Sequence, residues 1–154
     1  MTTEVKIDGL ADLQAALQTL PVKIEKNVLR GALNAAGQVI RREAMVRVPI
    51  KSGALRKSIR VATRSKGGVV SATIRAGDAK AYYAHLVEFG TAAHKITAKK
   101  GGLLAIGVAS VQHPGARARP FMRPALDGQA RASVETMAGY MRDRIPRELT
   151  KAGR

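Results

Sequence analysis

An α+β fold is what this sequence predicts, and three observations predict it. Helical periodicity occupies both ends of the chain, alternating stretches lie between them, and no internal repeat or second unit interrupts the 154 residues. A chain of this length buries roughly 68–70% of the surface its unfolded form exposes, so a single domain over residues 1–154 with one core is expected.

Alternating polar and apolar residues in "EVKI" (4–7) predict a short strand. Behind Asp8 as an N-cap, Leu10, Leu13, Leu17 and Leu20 recur at helical spacing, and Pro21 closes the helix. A long helix follows from Val22 to Val48, ended by Pro49. Ile24, Val28, Leu29, Ala32, Leu33, Ala36, Val39 and Ile40 form its wide apolar face, while Lys23, Lys26, Arg30, Asn34, Gly37 and Arg41 line the other side.

After the "KSG" turn, "LRKSIRVATR" (55–64) and "VVSATIRA" (69–76) read as two strands joined by the four-residue link "SKGG". "DAKAYYAHLVEFGT" (78–91) predicts a short helix stopped at Gly90. Residues 92–119 mix Gly, Ala, His and Lys with one apolar run, "LLAIGV" (103–108), and read as a mobile or hairpin-forming loop with a strand in it. From about Pro120 to Leu149 the pattern is helical again, with Met122, Leu126, Met137, Met141 and Ile145 as inner positions and a break at Pro146. The predicted architecture is a small antiparallel sheet packed with a long helix from the N-terminal half and a C-terminal helix.

Charge is the strongest compositional signal: 27 Lys and Arg against 11 Asp and Glu give +16. Residues 41–66 alone hold nine basic residues and one acidic one, so the excess begins at Arg41. Such a surface repels copies of itself unless a polyanion or acidic partner is near, which makes nucleic acid, acidic protein or anionic membrane the candidate partners. No apolar run approaches the roughly 20 residues that span a bilayer, and "MTTEVKIDGL" lacks the regions of an export signal, so a soluble protein without a membrane partner is expected. Tyr82, Tyr83, Phe89, Phe121 and Tyr140 are the only aromatics beside 26 alanines. Close helix packing must then replace bulky anchors, and partner subunits are expected to supply the missing burial.

The chain has no cysteine, which excludes a disulfide, a thiol nucleophile and a thiolate metal site. His85 and Glu88, at i and i+3, resemble half of a metal or acid–base site, and nothing completes it. His94 and His113 lack ligand-like spacing, and there is no GxGxxG, P-loop or nucleophile elbow. No catalytic residue, metal or cofactor is therefore expected. "KKGG" (99–102) reads as a flexible turn, with phosphate contact as the alternative. The strands lack the aromatic pairs of an RNA-recognition sheet and the helices lack helix-turn-helix spacing, so any DNA contact should run through phosphate and depend steeply on salt.

Three motifs recur in order: "PIKSGALRKSI" (49–59), "YYAHLVEFGT" (82–91) and "ARPFMRPAL" (118–126), preceded by "GLADLQAALQTLP" and the long helix. Together they resemble the HK97 gp10-like family of tailed-bacteriophage morphogenesis proteins, over about residues 8–145. The resemblance implies a structural, non-enzymatic protein: a neck or tail-completion component made in the host bacterial cytoplasm and carried in the virion. It further implies a homo-oligomer, a hexameric ring if it matches the tail tube. That ring would sit between a head-side connector or stopper and the tail-tube or tail-terminator protein, with double-stranded DNA passing through. A free, non-sequence-specific nucleic-acid-binding accessory protein is the alternative that the charge allows.

Within that frame the interface candidates are Glu88, Phe89, Gly90, Thr91, Arg119, Pro120, Phe121 and Pro124. The two prolines stiffen the segment that presents Phe121. Phe121 either plugs its own subunit's core beside an inward Phe89 or holds sheet and helix in register for the next subunit. Gly90 permits a positive φ, and Glu88 is expected to pair with an arginine such as Arg119 or Arg123, within or between subunits. His94, Lys95, Lys99, Lys100 and Arg117 are expected in a docking loop. Arg41, Arg56, Lys57, Arg60 and Arg64 are the candidates for contact with a polyanion or acidic partner, and strand alternation would divide the last four between two faces. Whether the cations line a lumen or mate with adjacent rings is left open by the sequence.

Overall fold

The computed structural model describes Ala15, residues 22–98 and residues 102–152. The expected strand at 4–7 and, apart from Ala15, the helix from Asp8 to Leu20 lie outside the described residues, as do Lys99 and Lys100 of the docking set. The fold is α+β: a long helix α1 (Val22–Arg47), a short helix α2 (Ala54–Ser58), a hairpin β1 (Arg60–Lys66) and β2 (Val69–Arg75), a short helix α3 (Ala84–Phe89), a second hairpin β3 (His94–Thr97) and β4 (Ser110–His113), and a long helix α4 (Met122–Ala152).

The two long helices carry the core between them. Val28 and Ala32, early in α1, meet Ala138, Met141 and Ile145, late in α4, so the helices run antiparallel. The close approach rests on small residues: a Cβ added at Gly31 would collide with the ring of Tyr140. At the other end Ile40, Ala44 and Val48 of α1 pack with Leu55, Ile59, Ala81, Ala84, Phe121 and Ala125. Phe121, Ile59 and Val28 are the largest fully buried side chains among the described residues, and full burial of a phenylalanine contributes roughly 1.5–3 kcal/mol.

Helix α1 is covered on a second side by the first hairpin, which corrects the amphipathic reading. Gly37, placed on the basic line by the sequence, is buried because Val61 of β1 sits on it, and a Cβ there would lie 2.7 Å from Val61 Cγ1. Strands β1 and β2 pair antiparallel from Arg60↔Arg75 to Lys66↔Val69. Their link is the two-residue turn Gly67–Gly68, with φ of 57° and 81°, rather than four residues, because Ser65 and Lys66 still pair in β1. The first five residues of the expected strand 55–64 also differ. Gly53 turns the chain at φ 76° into α2, and the buried residues Leu55, Ser58 and Ile59 fall at three- and four-residue steps, which is helical spacing.

The expected loop at 92–119 is a hairpin arm. β3 and β4 pair from His94↔His113 to Thr97↔Ser110. The apolar run 103–108 is not a strand; it forms the tip, closed by Leu104 N–H to the Val108 carbonyl at 2.8 Å and Gly107 N–H to the Leu104 carbonyl at 2.8 Å. Helix α4 does not break at Pro146. Proline there forgoes one intrahelical donor, but Ile145 beside it is buried against α1, and Arg144 bonds Glu148 across it at 2.8 Å. Leu126, expected inside, is 43% exposed, and Ala125 takes the inner position next to it.

Candidate functional site

Helix α3 is short, and its inward face is Ala84 and Glu88, one turn apart. Glu88 is the chain's one buried carboxylate among the described residues. It reaches the start of α4, where the first N–H groups of a helix have no intrahelical partner. Phe121 N–H donates to Glu88 Oε2 at 2.7 Å, Met122 N–H to Oε2 at 2.9 Å and Arg123 N–H to Oε1 at 3.0 Å. A carboxylate is the right group for that position, since the helix dipole favours negative charge there. Pro120 and Pro124 flank the site where their missing N–H costs no helical bond. Burial pushes the Glu88 carboxyl up, but the three backbone donors and the charge of Arg123 outweigh it and hold the group below its ordinary range.

Within the subunit the expected ion pair with Arg119 or Arg123 is replaced by a helix cap, and Arg123 adds only a favourable charge beside Glu88. Arg119 instead ties the joint through its backbone, its N–H donating to the Val87 carbonyl at 2.8 Å. Gly90 leaves α3 at φ 73°, as its residue type predicts, and its bare Cα lets the return strand approach. A Cβ at Gly90 would lie 2.6 Å from the Ala116 carbonyl and 2.7 Å from Ala118 N. Thr91 and Ala116 then exchange backbone bonds of 2.9 and 3.1 Å, and Thr91 Oγ1 accepts from Ala116 N–H at 2.8 Å. The second and third sequence motifs are therefore two sides of one joint, from which the β3–β4 arm projects.

The first motif supports the same joint from below. Ser58, which the sequence reading passed over, is buried; its hydroxyl donates to the Leu55 carbonyl at 2.7 Å and accepts from Gly77 N–H at 2.9 Å. Its signal was the Leu55/Ser58/Ile59 spacing. Leu55 and Ile59 touch the cluster that holds Phe121. Phe121 fills its own subunit's core, and Phe89 does not join it: Phe89 is 80% exposed. With Ala84 and Glu88 turned inward, the next residue of α3 must point out. Phe89 stands at an open groove of about 490 Å³ lined by Ile40, Ile74, Phe121, Met122 and Leu126.

The cations are scattered differently from expectation. Arg56 and Lys57 lie exposed on α2, not on a strand. Arg41 is half-buried, its Nε donating to the Ile59 carbonyl at 2.7 Å, so it braces the core. Arg60 and Arg64 share one outward face of β1, as their even spacing requires of a strand; Arg60 also donates to the Gly77 carbonyl at 2.8 Å. His94, Lys95 and Arg117 are exposed on the arm and its base, where the His94 ring lies 5.1 Å from that of His113. His85 does not meet Glu88's carboxylate chemistry, since its Nδ1 lies 3.1 Å from the Tyr82 carbonyl. Among the described residues no group of three or more His, Cys, Asp or Glu is placed to hold a metal ion, and no helix is long and apolar enough to cross a membrane.

Comparison with known proteins gives one family. The model described as "Bacteriophage HK97-gp10, putative tail-component" matches residues 11–90, just over half of the chain. The matched stretch contains the first motif and all of the second but Thr91; the third lies beyond it and is tied to the second by Glu88. Neither a curated protein nor a solved structure matches the chain.

Proposed function

Because the chain belongs to the HK97-gp10-like family of bacteriophage tail components, we propose that it is a structural, non-enzymatic virion protein that forms a ring at the head–tail interface. In this reading the ring is hexameric and sits between a head-side connector or stopper and a tail-tube or tail-terminator protein. Double-stranded DNA passes through it, and assembly takes place in the bacterial cytoplasm. The observation that carries the reading is the division of the molecule into a braced joint and an unsupported arm. The buried carboxylate and the motif glycine secure the arm's base, while its tip offers Leu103 and Ile106 to the surroundings at 70% and 67% exposure. Phe89 is as open on the body. Large apolar groups left out in a chain with so few aromatics support a reading in which a neighbouring subunit or ring covers them.

Light scattering on the purified chain, negative-stain imaging and blotting of purified particles test this together. Rings in solution or on tail ends, and the chain in the particle, are the expected results. A permanent monomer missing from particles overturns the reading and favours a free nucleic-acid-binding protein.

A further inference from the structure

The outward face of the first hairpin is a cationic plane. Along β1 it presents Arg60, Ala62, Arg64 and Lys66, and along β2 it presents Val69, Ser71, Thr73 and Arg75, all exposed. Its four cations spread over seven residues of strand, about 20 Å at 3.3 Å per residue. Arg60 and Arg75 stand directly opposite each other in the register, an arrangement that costs stability because like charges meet across the strands. Every ion pair among the described residues lies within a helix, so none of the described carboxylates pairs with a cation of this face.

We propose that this face binds the phosphate backbone of duplex DNA, without reading sequence. An anionic partner follows from the charge, and the residues between the cations choose which one. Ala62, Ser71 and Thr73 are small or hydroxylic, Val69 beside the turn is the one exposed aliphatic of any size there, and the face has no aromatic, methionine or leucine of the kind that anchors protein interfaces. Hydroxyls set among arginines suit phosphate oxygens, which accept from both. About 20 Å of duplex axis carries roughly six phosphates per strand, more than enough for four cations. Contacts of this kind slide along DNA, as a passing genome requires.

The inference deepens the ring reading but is tested on the chain alone, so failure to form rings leaves it standing, and failure to bind DNA leaves the ring standing. Fluorescence anisotropy with a 30-base-pair duplex of mixed sequence, titrated at several salt concentrations, reads the slope of log affinity on log salt. Four phosphate contacts contribute about −3.6 to it, and the variant Arg64→Ser/Lys66→Ser/Arg75→Ser is expected to be shallower by about 2.7. Arg60 is kept because it also holds Gly77. A control of equal charge change, Lys51→Ser/Arg142→Ser/Arg147→Ser, is expected to shift the slope by less than about 1. Melting of the face variant at or above the wild-type temperature shows it folded. Absence of duplex binding at 50 mM salt, equal shifts in both variants, or a face variant that loses polyglutamate binding while keeping DNA binding each overturns the proposal, the last in favour of an acidic protein.

Discussion

The carboxylate of Glu88 lies 2.7 Å from the backbone nitrogen of Phe121, and through that contact the last turn of a six-residue helix secures the first turn of a 31-residue one. Glu88→Ala strands three partly or fully buried N–H groups and removes a charge-assisted acceptor. It is expected to cost about 1.5–3 kcal/mol in urea unfolding. Glu88→Gln, which keeps one acceptor oxygen, is expected to lose less. Equal stability of Glu88→Ala and wild type would show that the cap is not formed.

The same group sets a pH signature. Its native carboxyl titrates below the ordinary value of 4.5, so the unfolded chain takes up the proton first as pH falls. The stability it contributes is complete above about 4.5 and disappears as pH drops through the lower native value. The stability gap between wild type and Glu88→Gln should therefore be constant near neutrality and narrow in acid. A gap that widens on acidification contradicts the sign.

The two phenylalanines separate core from surface. Phe121→Ala empties a fully buried position and is expected to cost about 3–5 kcal/mol. Phe89→Ser, at a position 80% exposed, is expected to change stability by less than about 0.5 kcal/mol while weakening assembly. A destabilised Phe89→Ser, or a Phe121→Ala that melts like wild type, would reverse the assignment.

No residue from 92 to 98 or 102 to 118 is fully buried, so the arm contributes nothing to either core cluster among the described residues. Deleting 95–112 is expected to leave the melting temperature within a few degrees and to abolish docking to particles. Collapse of the shortened chain would make the arm part of the core after all.

Gly31 of α1 lies against the Tyr140 ring of α4. Gly31→Ala gains helix propensity worth about 1 kcal/mol but forces the Tyr140 ring aside, and overpacking of this sort costs about 1–3 kcal/mol. A net loss is expected, restored by Tyr140→Leu in the same chain. If Gly31→Ala is more stable than wild type, the two helices are farther apart than described.

Periodicity revealed both long helices, because each presents apolar side chains at three- and four-residue steps over many turns. It failed where tertiary contact decided the outcome. Gly37 is buried by a strand rather than by its own helix face, and Pro146 stays helical because Ile145 is anchored. The run at 103–108 has strand composition, yet it forms the arm's tip because the pairing lies in the polar residues on either side. The motif residues Glu88, Gly90 and Phe121 were identifiable one by one as unusual choices. Their connection was not, since a contact across 33 positions leaves no local pattern, and an acid beside arginines reads first as an ion pair.

Between Thr91 and Ala116 the chain leaves the body and comes back to the same place. For evolution that is a socket. Doubling the length of the excursion costs only about 0.6 kcal/mol in closure entropy, so insertions and rewritten tips are cheap while the socket holds. The scaffold therefore tolerates a rewritten excursion between these two positions at little thermodynamic expense.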